Sequence, residues 1–129
     1  MTTPPEPRWL TEDLLLRVHD RQMADHGGQT GIRDMGLFQS ALARPLNAWS
    51  YGETDLCILA SLYGAGIIKN HPFLDGNKRT GLVAAELFLT INGVKLIAPD
   101  AEILAVILAL AGGDIDDKIF AEWLREFTP

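Results

Sequence analysis

The chain has 129 residues, the size of one domain with its own core. Apolar residues make up 47%, charged residues 22%, and the net charge is −6, which argues against a general nucleic-acid or membrane-surface binder, since such proteins are ordinarily basic. A single cysteine, Cys57, rules out an internal disulfide, and its apolar surroundings point to a buried inert thiol.

The opening stretch, MTTPPEPRW, carries prolines where a signal peptide needs an apolar segment, and residues 1–8 are expected to be flexible. Thr11 is a candidate N-cap, with Glu12 and Asp13 in the first turn, where the helix dipole favours negative charge. Leu14, Leu15, Val18 and Met23 form one apolar stripe, and Gly27-Gly28 ends that helix. His19 and His26 are expected at the surface. GQTGIR reads as a loop. Asp34 opens a second helix with Leu37, Phe38, Ala41 and Leu42 inward, and Pro45 is expected to stop it. Residues 45–53, PLNAWSYGE, then read as irregular or briefly extended; the three tryptophans read as packing groups, with a partner contact the alternative for Trp49.

Thr54 is the expected cap of a third helix, DLCILASLYGAGIIKN, which is apolar on nearly every face and therefore buried. Its apolar run, Leu56–Ile68, is too short to span a bilayer and contains Gly64 and Gly66. A fourth mostly apolar helix runs from about Asn77 to Ile91 and ends at Asn92-Gly93. Asp100 opens a fifth, closed by Gly112-Gly113. Asp114 is the expected cap of a sixth, with Ile115, Ile119, Phe120, Trp123, Leu124 and Phe127 at helical spacing. No repeat interrupts the order, and no segment alternates long enough to demand a sheet. The expected fold is all-α: a compact single-domain bundle of about six helices over residues 1–129, soluble and cytoplasmic, with two buried central helices.

Between those two helices lies NHPFLDGNKRTG, residues 70–81. The first N–H groups of a helix have no internal partner and, with the dipole, make an anion site. Gly76 lets a ligand approach the backbone, Lys78 and Arg79 add positive charge, and Asn77 can donate from its amide. The start of the fourth helix therefore reads as a phosphate site. Asp75 makes sense there if Mg²⁺ lies between its carboxylate and the phosphates. His71, restrained by Pro72, is placed to act as a base toward a hydroxyl, while Phe73 pins the loop to the core.

Each of these residues has a simpler explanation in isolation. His71 can be a C-cap, Asp75 an N-cap, and Lys78 and Arg79 a solvated face. Their convergence in a loop between two buried helices favours a site. GAGIIKN lacks the third glycine and the preceding strand of a dinucleotide motif, and no G-x-x-x-x-G-K-S/T motif occurs. Glu86 reads as a rim residue.

The stretch HPFLDGNKR closely resembles the H-x-F-x-D/E-G/A-N-x-R signature of the Fic/Doc proteins. GIRDMGLFQSALARP upstream and LFLTINGVKL downstream resemble the short Doc branch, the death-on-curing toxins of type II toxin–antitoxin pairs. The AMP-transferring Fic branch usually has glycine where Lys78 stands, and a second arginine where Leu82 stands. Both departures match Doc.

The resemblance implies a compact all-α Fic/Doc bundle. It also implies transfer of the γ-phosphate of ATP to a protein hydroxyl, a threonine of elongation factor Tu, which stops translation. AMP transfer, or an inactive module that retains the signature, are the alternatives. Carried over, His71 is the general base, Asp75 holds Mg²⁺, Gly76 and the backbone of Lys78 line the anion hole, and Asn77, Lys78 and Arg79 bind nucleotide phosphates. A short flap ahead of the central helices would align the target by strand addition, and residues 45–53 occupy that place in the order, with an ordinary connector the equal alternative. An internal plug of the form S/T-x-x-x-E-G/N is not found: the nearest match, TTPPEP, has Pro7 at its last position, and its prolines preclude a helix. Restraint is therefore expected from a small antitoxin whose tail lies in an apolar groove over the active site.

Overall fold

A computed structural model describes residues 4–129. Thr2, which begins the TTPPEP match, and part of the segment expected to be flexible lie outside the described residues. In the part that is described, Pro7 is buried. Arg8 exchanges two hydrogen bonds with Asn92: its N–H donates to Oδ1 at 2.8 Å and its carbonyl accepts from Nδ2 at 3.0 Å.

The described residues form six α-helices: α1 (Glu12–His26), α2 (Met35–Ser50), α3 (Leu56–Asn70), α4 (Asn77–Ile91), α5 (Asp100–Ala111) and α6 (Asp117–Glu126). Among them the only β feature is one isolated antiparallel bridge, Ile32 with Phe73. Four helices start on a side chain that accepts a backbone N–H. Thr11 takes that of Leu14, Asp34 that of Leu37, Asp55 those of Cys57 and Ile58, and Asp116 that of Ile119.

Two caps differ from expectation. Asp55 replaces Thr54 because its carboxylate reaches two free N–H groups and also pairs with Arg125 on α6. Asp116 replaces Asp114 because the N–H groups of Asp114 and Ile115 fold back onto the Ala109 carbonyl to close α5.

The larger correction is α2. Pro45 lies inside it, and the helix continues to Ser50. An interior proline removes one helical hydrogen bond at a cost of about 3 kcal/mol. Here the ring is buried, and the residues on either side are anchored: Phe38, Ala41 and Leu42 are buried before it, and Trp49 meets Trp9 edge-on at 6.2 Å after it. Tertiary packing outweighs the local penalty. Residues 45–50 are thus helical, and no extended flap exists there.

The core centres on α3, buried from Leu59 through Ile68. It crosses α4 where both helices carry glycine. A Cβ on Gly64 would sit 3.1 Å from the Gly81 carbonyl oxygen, and one on Gly81 would sit 2.9 Å from that of Gly64. The two backbones therefore touch, and the loop joining them is held between closely spaced supports. From the other side α6 presents Phe120, Ala121 and Leu124; Ile119, expected inward, is 47% exposed. Tyr63 is fully buried with its hydroxyl accepting the Leu10 N–H at 3.1 Å. Burial pushes that hydroxyl up to about 12, and burial likewise raises the Cys57 thiol, in keeping with an inert residue.

Candidate active site

The loop between α3 and α4 is fixed by residues from two directions. His71 caps α3 with its N–H on the Ile67 carbonyl at 3.1 Å. Its φ of 52° and ψ of 52° make it the only non-glycine residue with positive φ among those described. Pro72 is buried, and its carbonyl accepts from the N–H groups of Arg33 at 2.7 Å and Asp34 at 3.1 Å. Phe73 points into the core as expected. It stacks face to face on His19 at 3.8 Å and meets Phe38 at 5.2 Å. Leu74 donates its N–H to the Gly31 carbonyl at 3.1 Å. The α1–α2 connection thus lies along the loop as a short extended strap.

Asn77 closes the loop from within. Its Oδ1 accepts the Phe73 N–H at 2.9 Å, and its Nδ2 donates to the Phe73 carbonyl at 3.0 Å. The side chain is buried, so the amide expected to face a phosphate is occupied inside the fold. Asp75 stays exposed, but both its oxygens already accept: Oδ1 from the Gly76 N–H at 2.8 Å and Oδ2 from the Gln29 N–H at 3.2 Å. Its carbonyl accepts from His19 Nε2 at 2.8 Å. A carbonyl cannot donate, so that ring nitrogen carries the hydrogen.

Gly76 has φ 74°, a left-handed conformation that favours glycine. Behind it stands Met23, whose methyl group occupies the place a Cβ would take. From Gly76 the chain enters α4 with no side-chain cap, unlike α1, α2, α3 and α6. The first helical bond runs from the Thr80 N–H to the Gly76 carbonyl at 2.9 Å. The N–H groups of Asn77, Lys78 and Arg79 therefore have no helical partner. They open into a groove of about 730 Å³. One end of it is polar, with His71, Asp75, Lys78 and Arg79; the other is apolar, with Leu104 and Leu108 of α5.

The donor set fits one hard divalent cation held by a single carboxylate. Each Asp75 oxygen keeps a second lone pair free, and Mg²⁺ ordinarily takes one or two carboxylates and completes its shell with phosphate and water. Among the described residues no cluster of three His, Cys, Asp or Glu side chains forms a self-sufficient metal site.

The structure brings His71, Asp75, Gly76, Lys78 and Arg79 to one groove, and Asn77 beneath them. Three supporting residues escaped sequence reasoning. His19, expected at the surface, is 1% exposed. It continues the Leu15–His19–Met23 row at four-residue spacing, a signal that its polar type masked. Arg33 and Gln29 sit in the glycine-rich HGGQTGIRD stretch, where loop composition gives no hint of their partners. His26 and Glu86 are exposed as expected. No helix among the described residues is long and apolar enough to cross a membrane.

Comparison with known proteins gives the same grouping as the signature. A family model described as the Fic/DOC family matches residues 9–89. The chain is 32% identical over 119 residues to the protein named Protein kinase doc of Escherichia phage P1, covering 92% of this chain and 94% of that one. It is 44% identical over 75 residues to Toxin Doc of Mycolicibacterium smegmatis, covering 56% of this chain and 57% of that one. With that match running from Trp9 through the whole α3–α4 loop, the chain belongs to the Fic/Doc family.

Proposed function

We propose that this protein is the toxin of a type II toxin–antitoxin pair and a protein kinase that transfers the γ-phosphate of ATP to a threonine of elongation factor Tu. The observation that carries the reading is the uncapped start of α4 facing a groove beside His71. Four of the other helices close that place with a side chain and the fifth, α5, begins after Pro99, whereas this one leaves its N–H groups to an anion. The relative from phage P1 bears the name of a protein kinase. Lys78 and Leu82 stand where the AMP-transferring branch usually has glycine and a second arginine.

In this reading neutral His71 accepts the threonine proton as the hydroxyl oxygen attacks the γ-phosphorus. A phosphorus–oxygen bond to the threonine forms, the bond to the β-phosphate oxygen breaks, and ADP leaves. His71 then releases its proton to solvent. The free N–H groups of α4, with Lys78 and Arg79, stabilise the charge that grows on the phosphate oxygens. Asp75 would hold Mg²⁺, which supplies charge neutralisation on the phosphates when bound. Asn77 serves by fixing the loop that carries these groups, and its backbone contributes to the anion site.

The apolar end of the groove suits a partner helix. Leu104 and Leu108 are 61% and 51% exposed on one face of α5, beside the polar end. We assign this face to the antitoxin tail, which would cover the site from above and reach Arg79 with a carboxylate.

The test is product mass. Purified protein, Mg·ATP and elongation factor Tu should give one added phosphate on threonine, and His71→Ala should give none. Addition of AMP with no phosphate would overturn the kinase reading. For the partner, expression alone should arrest growth, and co-expression with the neighbouring small gene should relieve it. Harmless expression of an active enzyme would refute the antitoxin.

A further inference from the structure

We propose that Arg33 is a positioning residue that holds the His71 imidazole in the groove by fixing the end of α3 in its left-handed turn. The proposal rests on the reading of His71 as the base.

A surface arginine ordinarily points into water or pairs with a carboxylate. Arg33 is exposed, but among the described residues it pairs with no carboxylate and its guanidinium turns back onto the backbone instead. Its Nε donates to the His71 carbonyl at 2.7 Å and its Nη2 to the Asn70 carbonyl at 2.9 Å. Its own backbone N–H donates to the Pro72 carbonyl at 2.7 Å. One residue thus receives three consecutive carbonyls, 70, 71 and 72. A guanidinium suits this task because its donors lie in a rigid plane, whereas an ammonium offers a single point. The neighbouring Asp34 is engaged at the start of α2, where it accepts from Leu37 N–H at 2.9 Å, and it leaves the guanidinium to the carbonyls.

The site held is a strained one. A histidine in the left-handed region is disfavoured because its Cβ approaches the following carbonyl oxygen. Such a conformation persists only where the surroundings over-determine it. Pro72 does not supply that restraint, since a following proline biases His71 toward extended angles. The hold comes from the His71 N–H, which donates to the Ile67 carbonyl at 3.1 Å, and from Arg33. Arg33 takes the carbonyls on both sides of the His71 backbone. The left-handed turn also aims the side chain away from the axis of α3 and into the groove with Asp75 and Arg79. Relaxation to ordinary helical or extended angles would swing the imidazole away from the N–H groups of α4.

A second consequence is electrostatic. The last carbonyls of a helix carry partial negative charge. Those of α3 lie at the edge of the proposed anion site, and the guanidinium covers two of them. Lysine would keep the charge and lose the fork, which separates the two effects.

The experiment compares Arg33→Ala and Arg33→Lys with wild type. Both variants should lose kcat by about tenfold or more, as expected when a catalytic group is misplaced by a fraction of an ångström, with KM for Mg·ATP within about twofold. The His71 ring carbon–proton cross-peak in NMR should shift or broaden in both, without nucleotide. Added guanidinium ion should restore part of the Arg33→Ala rate and none of the His71→Ala rate. An unmoved His71 cross-peak with unchanged kcat would overturn the proposal. A loss in KM alone would also overturn it, since that marks direct nucleotide contact. If His71→Ala transfers phosphate at the wild-type rate, the base assignment fails; the cross-peak still reports whether Arg33 fixes the ring.

Discussion

Replacing His19 by alanine probes the support beneath the active loop. The imidazole is buried, stacked on Phe73 with rings 5° from parallel, and bonded to the Asp75 carbonyl at 2.8 Å. Three losses follow. The stack is worth about 0.5–1.5 kcal/mol by analogy with aromatic pairs. The hydrogen bond contributes about 1 kcal/mol. The cavity left under Phe73 adds about 1–2 kcal/mol, less than a phenylalanine truncation because the ring is smaller. The total is about 2.5–4.5 kcal/mol, a fall in Tm of roughly 9–17 °C for a chain of this size.

His19→Gln keeps a donor near the Asp75 carbonyl and fills part of the space, so its loss should be about half as large. Urea titration followed by tryptophan fluorescence measures both. Equal midpoints for wild type and His19→Ala would show that neither the stack nor the hydrogen bond bears on the folded state. Equal losses for Ala and Gln would show that a donor and partial filling at this position recover nothing, leaving the effect to the stacked ring itself.

Gly76→Ala forces a Cβ onto the Met23 methyl group at a left-handed position, and should cost about 2–4 kcal/mol in denaturant titration. Trimming Met23 to alanine in the same chain should recover part of that loss, and no recovery would refute the collision. Phe120→Ala should cost about 3–5 kcal/mol, while Ile119→Ala, one residue away but half-exposed, should cost under about 1 kcal/mol. Tyr63 titrates at about 12 against an ordinary 10, so the folded chain holds that proton more tightly than the unfolded one. Stability from this group is complete below pH 10 and is lost as pH rises toward 12. Phenolate absorbance in a Tyr51→Phe background isolates it, and ionisation near 10 without unfolding would contradict the burial argument.

Much of the helix pattern was legible because strong local signals coincided. Thr11, Asp34 and the Asn92-Gly93 stop each combine a cap with the end of an apolar stripe, and each lies where expected. Pro45 misled because a local rule was applied without its tertiary setting; the buried ring and the Trp9–Trp49 contact are invisible in sequence. The flap expectation fell with it, and the extended strap lies instead at Gly31–Ile32. The signature announced which residues gather at the groove. It did not reveal that Asn77 turns inward, since an amide serves a phosphate or a backbone equally well. His19 was missed because a polar residue on a core stripe reads as surface until its partner, the Asp75 carbonyl, is seen.

The inward turn of Asn77 divides the loop into frame and tools. Pro72, Phe73 and Asn77 are buried and bond to one another or to the strap, while His71, Leu74, Asp75, Lys78 and Arg79 face outward. A substitution at an outward position such as Lys78 changes the chemistry offered to a ligand and leaves the amide clasp in place. A substitution in the frame changes the fold. On the reading proposed above, the outward chemistry of such a loop can change one position at a time while the frame stays folded, and its outward positions are the ones to randomise in a search for altered ligand preference.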